Sequence, residues 1–108
     1  MKDEKIYILR ILESVSKIEN FVTNQNLEGF LNDQKTQSAV IMQLVVIGED
    51  SRKISENTKS MINLPWNKIA GFRNMAVHEY FNISLPMVWK TVIDEIPVLK
   101  RALEKFLA

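Results

Sequence analysis

Apolar side chains recur at intervals of three and four along most of the chain, which is the spacing of one face of an α-helix. No strand-like alternation persists, and three glycines and three prolines are the only strong breakers. Pro97 lies inside the last apolar repeat, so that helix should be kinked or split there, near Asp94. The pattern predicts an all-α fold, an antiparallel bundle of four to five helices, with long helices at about 3–24, 33–57, 66–78 and 86–107.

Composition narrows the class of protein. The 108 residues suffice for a single domain, 1–108, with one core, and the net charge of +1 is short of the strongly basic balance of a dedicated duplex binder. There is no cysteine and only one histidine, so we expect neither a metal site nor a cofactor. No apolar run reaches the roughly 20 residues that a bilayer span needs, and no secretory signal is visible, so no membrane association is expected and the expected compartment is the cytoplasm.

The candidate chemistry lies in residues 71–80. His78, the single histidine, is preceded by Arg73 and Asn74 and followed by Tyr80. An arginine can hold a phosphate with a fork of fixed donors, and a histidine can move a proton near neutral pH. A phosphate-binding group and a proton-transfer group are the minimum that cleavage of RNA without a metal requires.

Arg73 falls in the middle of the apolar stripe of the third predicted helix, while Asn74 and His78 fall on a neighbouring polar face. A buried arginine needs a partner. Glu49 and Asp50, which come just after the apolar run 39–47 of the second predicted helix, are the candidates to neutralise or orient it. Packing and helix capping remain the alternative interpretation of the arginine and the histidine.

Arg73 and His78 are five positions apart, which on a continuous helix separates them by about 140° and 7.5 Å. Two arrangements would let both reach one phosphate. Either the helix ends near His78 and the chain turns, or a second protomer supplies one of the two residues across a twofold axis. The second requires no distortion of the helix and favours a homodimer.

The spacing Arg73-x4-His78-x-Tyr80 resembles the R-x4-6-H-x-Y signature of HEPN-domain proteins. The segments 43–49, 64–74 and 88–92 are also similar to the HepT-like (DUF86) branch. The resemblance covers most of the chain in order from about residue 35 to 107.

The resemblance implies an all-α HEPN fold and a prokaryotic toxin that acts as a metal-independent ribonuclease. It assigns catalysis to Arg73 and His78, in sites that face each other across a homodimer. It also implies a minimal nucleotidyltransferase antitoxin as partner, which silences the toxin by transferring AMP to Tyr80. Asn74 is expected to support the histidine or the phosphate. Two alternatives stay open: a non-catalytic module that presents nucleotide or substrate to a nucleotidyltransferase, and a purely structural helical dimer.

Overall fold

The computed structural model describes residues 4–77 and 80–108, with Val77 and Tyr80 described by their backbone alone. Every regular element in these ranges is helical, which confirms the predicted all-α class. No helix within them is both long enough and apolar enough to cross a membrane.

The centre of the bundle is the pair α1 (Lys5–Phe21) and α3 (Gln34–Ser51), which pack along each other. A short helix, α2 (Leu27–Leu31), lies between them in the chain. The sequence predicted only a connection in this segment. The Asn26 side chain accepts a hydrogen bond from the Gly29 N–H and so caps this helix. The predicted stripe of α1 is confirmed, because the core contains Ile8, Ile11, Val15 and Ile18, with Leu12 and Val22 packed beside them.

The predicted end of the second long helix was wrong, since α3 ends at Ser51 and not near residue 57. A separate turn of helix, α4 (Glu56–Lys59), follows it. The Ser55 side chain accepts a hydrogen bond from the Thr58 N–H, which starts this new helix. The helix-forming residue types between positions 34 and 59 did not show whether they form one long helix or two separate helices, each with its own N-cap.

The third predicted helix is interrupted. It consists of α5 (Trp66–Ala70), a 3₁₀ turn (Gly71–Arg73) and α6 (Asn74–Val77). Glycine is a weak helix former, and the tighter turn begins at Gly71. Since a 3₁₀ turn has about three residues per turn, the angles expected for a continuous α-helix do not hold across it.

The last part of the chain comprises a 3₁₀ turn (Tyr80–Asn82), α7 (Leu85–Lys90), a π-helical stretch (Thr91–Glu95) and α8 (Ile96–Leu107). Pro97 lies in the first turn of α8. It has no N–H to donate to the preceding turn, so the chain widens into a π-helix just before it. The predicted break near Pro97 is therefore confirmed.

Candidate active site

Gly48 brings α3 into backbone contact with the segment that carries Arg73. A Cβ atom at Gly48 would lie 2.7 Å from the Arg73 backbone nitrogen and 3.1 Å from the carbonyl oxygens of Ile69 and Ala70. Backbone atoms cannot rotate out of the way as a flexible side chain can, so residue 48 must lack a side chain for this approach. Glu49, the next residue on α3, is thereby brought within reach of the Arg73 side chain.

Arg73 and Glu49 form a short charge-assisted hydrogen bond. The arginine Nε donates to Glu49 Oε2 at 2.7 Å, and about a third of the arginine side chain, 31%, remains exposed. Ionised partners at this distance form roughly twice as strong a hydrogen bond as neutral ones. The expectation that Arg73 pairs with a carboxylate is confirmed, and the carboxylate is that of Glu49. The arginine is half-buried and does not face the core as the apolar stripe had indicated.

The pKa of Glu49 is lowered from its ordinary value. The main cause is the hydrogen bond from Arg73; desolvation opposes it, and the positive charges of Arg73, Arg52 and Lys53 add to the lowering. The carboxylate therefore stays ionised throughout the neutral and mildly acidic range, and the pair persists there.

One edge of the guanidinium remains available. Its Nη1 donates to Asn74 Oδ1 at 3.4 Å, which is a long hydrogen bond, and the Asn74 side chain is exposed. Among the side chains that the structure describes, none accepts a hydrogen bond from Arg73 Nη2. An arginine held at Nε with a free outer edge is oriented to bind an anion that arrives from solvent.

Asp50 lies on a different face of α3 and contacts a different arginine. Its side chain is 1% exposed, and Oδ1 lies 3.2 Å from Arg10 Nη2 of α1, while Oδ2 has no hydrogen-bond partner among the described residues. Neighbouring positions on a helix differ by about 100°, so Glu49 and Asp50 cannot both face Arg73. The structure thus separates the two carboxylates that the sequence left as alternatives.

The side chains of two predicted site residues, His78 and Tyr80, are not among those that the structure describes. His78 lies outside the described residues, and for Tyr80 the structure gives the backbone, which begins the 3₁₀ turn Tyr80–Asn82. The preceding helix α6 ends at Val77. The roles of His78 and Tyr80 therefore stay predictions.

No groove is needed to expose Arg73, because about a third of its side chain is already accessible. A groove of about 400 Å³ borders the same stretch and is lined by Phe72, Met75 and residues of α7. Within the described ranges, no cluster of three or more histidine, aspartate or glutamate side chains has the geometry to hold a metal ion.

Sequence reasoning missed Gly48 and Arg10. The signal for Gly48 was a glycine inside an apolar helix, which costs about 1 kcal/mol relative to alanine and so indicates a packing constraint. Arg10 gave no such signal, because an arginine on the polar side of a surface helix is ordinary.

Comparison with protein families identifies the family of the chain. A family model described as "Ribonuclease HepT-like" matches residues 11–106. The chain belongs to this family. The HepT-like match thus includes α3, Gly48, Glu49 and the whole of the 71–80 stretch.

Curated relatives of this HepT-like chain extend over nearly its full length. A protein of Thermococcus cleftensis named "Probable ribonuclease HepT" is 39% identical over 105 residues, 96% of either chain. Two proteins named "Putative RNase" follow: one of Methanocaldococcus jannaschii, 34% identical over 95% of both chains, and one of Caldanaerobacter subterraneus, 30% identical over 99% of this chain and 96% of its own. No solved structure gave a significant match.

Proposed function

We propose that this HepT-like chain is an endoribonuclease that cleaves RNA without a metal ion. The observation that carries the proposal is the Arg73 guanidinium, held at Nε by Glu49, with about a third of its side chain exposed to solvent. The names of the relatives support the same activity, since those three are named as ribonucleases or RNases.

In the proposed reaction, the 2′-hydroxyl of one ribose attacks the adjacent phosphorus. His78 removes the hydroxyl proton, a contribution of about 10²–10⁴-fold. The bond to the 5′-oxygen of the next nucleotide then breaks, and that oxygen takes up a proton. The products are a 2′,3′-cyclic phosphate and a free 5′-hydroxyl, and no metal-bound water is needed.

Arg73 stabilises the charge that develops on the phosphoryl oxygens. Oriented donors at a site that excludes water are typically worth about 2.7–4 kcal/mol each. The Arg73 side chain is about one third exposed in the single chain, so exclusion of water needs a second surface. A homodimer in which one protomer supplies Arg73 and the other His78 would provide that surface.

We further propose that the chain is the toxin of a toxin–antitoxin pair and acts in the cytoplasm. Its partner would be a nucleotidyltransferase that attaches AMP to the Tyr80 hydroxyl. The adenylyl phosphate would occupy the region of Arg73 and exclude RNA. Incubation with the neighbouring nucleotidyltransferase and ATP tests this, because a Tyr80→Phe variant that still gains an adduct of about 329 Da (one AMP group) would exclude Tyr80 as the acceptor.

Cleavage of RNA in the presence of EDTA tests the activity itself. We expect the wild type to produce 2′,3′-cyclic phosphate ends, and Arg73→Ala and His78→Ala each to lose most of the rate. Retained activity in both variants would exclude the assignment. Nucleotide binding by the wild type with no cleavage would favour the non-catalytic module.

A further inference from the structure

Two adjacent cations, Arg52 and Lys53, lie at the end of α3 beside the candidate site. Both side chains are exposed. Within the described residues neither forms an ion pair, whereas the two nearby arginines do: Arg73 with Glu49 and Arg10 with Asp50. Arg52 and Lys53 therefore present unneutralised positive charge to solvent.

Their position on α3 relates them directly to Arg73. Arg52 is the C-cap residue of α3 and Lys53 follows it, so both lie three and four residues after Glu49 in the turn that ends the helix. The positive charges of both cations help to lower the pKa of Glu49, and Glu49 itself contacts Arg73. Arg52 and Lys53 therefore lie near the Arg73–Glu49 pair.

The cationic surface continues onto α1. Lys53 Nζ lies 5.6 Å from the centre of the Tyr7 ring, and the Arg10 guanidinium lies 5.8 Å from the same ring. Contacts of cations with an aromatic ring at this distance are attractive and restrict the side chains. Lys53 is therefore held toward the surface that joins α1 to the end of α3.

Arg52 and Lys53 come directly after Ser51, the last residue of α3. The favourable interaction of cations with a helix C-terminus contributes about 0.3–1 kcal/mol and would account for some positive charge there. This helix-end interaction does not explain why both cations lack an ion pair within the described residues while they lie near Arg73.

We propose that Arg52 and Lys53 form a subsite for the phosphodiester backbone of RNA, next to the phosphate that Arg73 holds. This inference rests on the proposed ribonuclease function and adds to it the direction in which the substrate strand leaves the site. Exposed cations are suited to this role, since backbone contacts by lysine and arginine release counterions without reading the bases.

Salt-dependent binding of a single-stranded 2′-O-methyl RNA tests the subsite, because that strand lacks the attacking hydroxyl and stays intact. Each phosphate neutralised on a single strand contributes about 0.7 to the slope of log K against log salt concentration. In Arg52→Ser/Lys53→Ser we expect the slope to fall by about 1.4. Between about 50 and 200 mM salt, the wild type should then lose about sevenfold more affinity than the variant does.

Two matched variants control the measurement. Arg101→Ser/Lys105→Ser removes the same total charge from two exposed cations of α8 that form no ion pair within the described residues, and it should keep the wild-type slope. Arg52→Lys/Lys53→Arg keeps both charges and should also keep it. Circular dichroism checks that each variant is folded.

The possible failures are distinguishable. A wild type that cleaves RNA, with an unchanged salt slope in Arg52→Ser/Lys53→Ser, would reject the subsite and leave the proposed function standing. An equal loss of slope in the α8 variant would also reject the subsite, because it would show a non-local charge effect. A wild type that neither binds nor cleaves RNA would reject the proposed function itself.

Discussion

Arg73 Nε lies 2.7 Å from Glu49 Oε2, and this one contact joins the two segments that the candidate site needs. Glu49 comes from the end of α3, the central helix, and Arg73 from the 3₁₀ turn that crosses it. The contact restrains the orientation of the guanidinium. We therefore propose that Glu49 positions Arg73.

Glu49→Gln should lower the rate of RNA cleavage by about ten- to a hundredfold, because a misplacement of about 1 Å at a reacting group has an effect of that size. Thermal stability should change little, since surface ion pairs contribute about 0–1 kcal/mol. The measurement is kcat for RNA cleavage beside the melting temperature. Glu104→Gln, at an exposed position of α8, is the matched control and should behave as wild type.

Gly48→Ala should destabilise the fold by about 1–3 kcal/mol, the usual cost of overpacking, and should also reduce cleavage. The added methyl group would meet the Arg73 backbone nitrogen at 2.7 Å, so the turn that carries Arg73 must move. Urea unfolding and cleavage assays measure the two effects.

Gly71→Ala is the control for this substitution. Apart from its chain neighbours, no atom of the described residues lies within 4 Å of a Cβ at Gly71. The residue has φ −67° and ψ −15°, which alanine adopts freely. We expect it to stabilise the fold by about 0.4–1 kcal/mol. Equal destabilisation by both substitutions would contradict the assigned contact.

Arg10→Ala should destabilise the fold by about 1–3 kcal/mol, because it leaves the buried Asp50 carboxylate without its partner. Asp50→Asn removes the charge and should have a smaller effect on the free energy of unfolding. When activity is expressed per folded molecule, neither variant should lose as much cleavage activity as Glu49→Gln does. If Asp50→Asn reduced cleavage as strongly, Asp50 would belong to the site.

The pH dependence should separate Glu49 from His78. A carboxyl group whose pKa is lowered on folding adds stability above its ordinary pKa, 4.5 for Glu49, and that contribution disappears as the pH falls through the lower folded pKa. The stability difference between wild type and Glu49→Gln should therefore be constant near neutrality and shrink only below about pH 4.5. Urea unfolding at several pH values measures it.

The rate of cleavage should change with pH in a higher range than the stability difference does. A histidine that acts as a base ordinarily loses activity as the pH falls through about 6.5. We expect this acid limb in the wild type, and at an unchanged position in Glu49→Gln. If the limb disappeared in that variant, Glu49 and not His78 would be the group whose titration it reports.

The sequence was sufficient to predict the helical class because apolar spacing reflects a local geometry that tertiary contacts did not change. Pro97 was equally informative, because proline has no N–H for a helix hydrogen bond in any tertiary environment. The end of α3 was not predictable in the same way. Whether residues 52–57 extend a helix or start a new one depends on capping by Ser55 in competition with helix propensity.

The candidate site was predictable only in its residue types. Arg73 on an apolar stripe indicated a carboxylate partner, but Glu49 and Asp50 are adjacent in sequence and only the packing of α3 decides which one faces it. Gly48 determines that packing through a backbone contact with Arg73, and no pattern in one sequence specifies which backbone will approach a glycine.

Mixing two inactive variants tests the central claim, that Arg73 and His78 of different protomers form one ribonuclease site. Arg73→Ala and His78→Ala proteins would be unfolded together, refolded as an equal mixture and assayed for RNA cleavage in EDTA. Random pairing makes about half of the dimers mixed, each with one complete site of two, so about a quarter of wild-type activity should return. If each site lay within one chain, no complete site could form, and a mixture as inactive as the separate variants would contradict the claim.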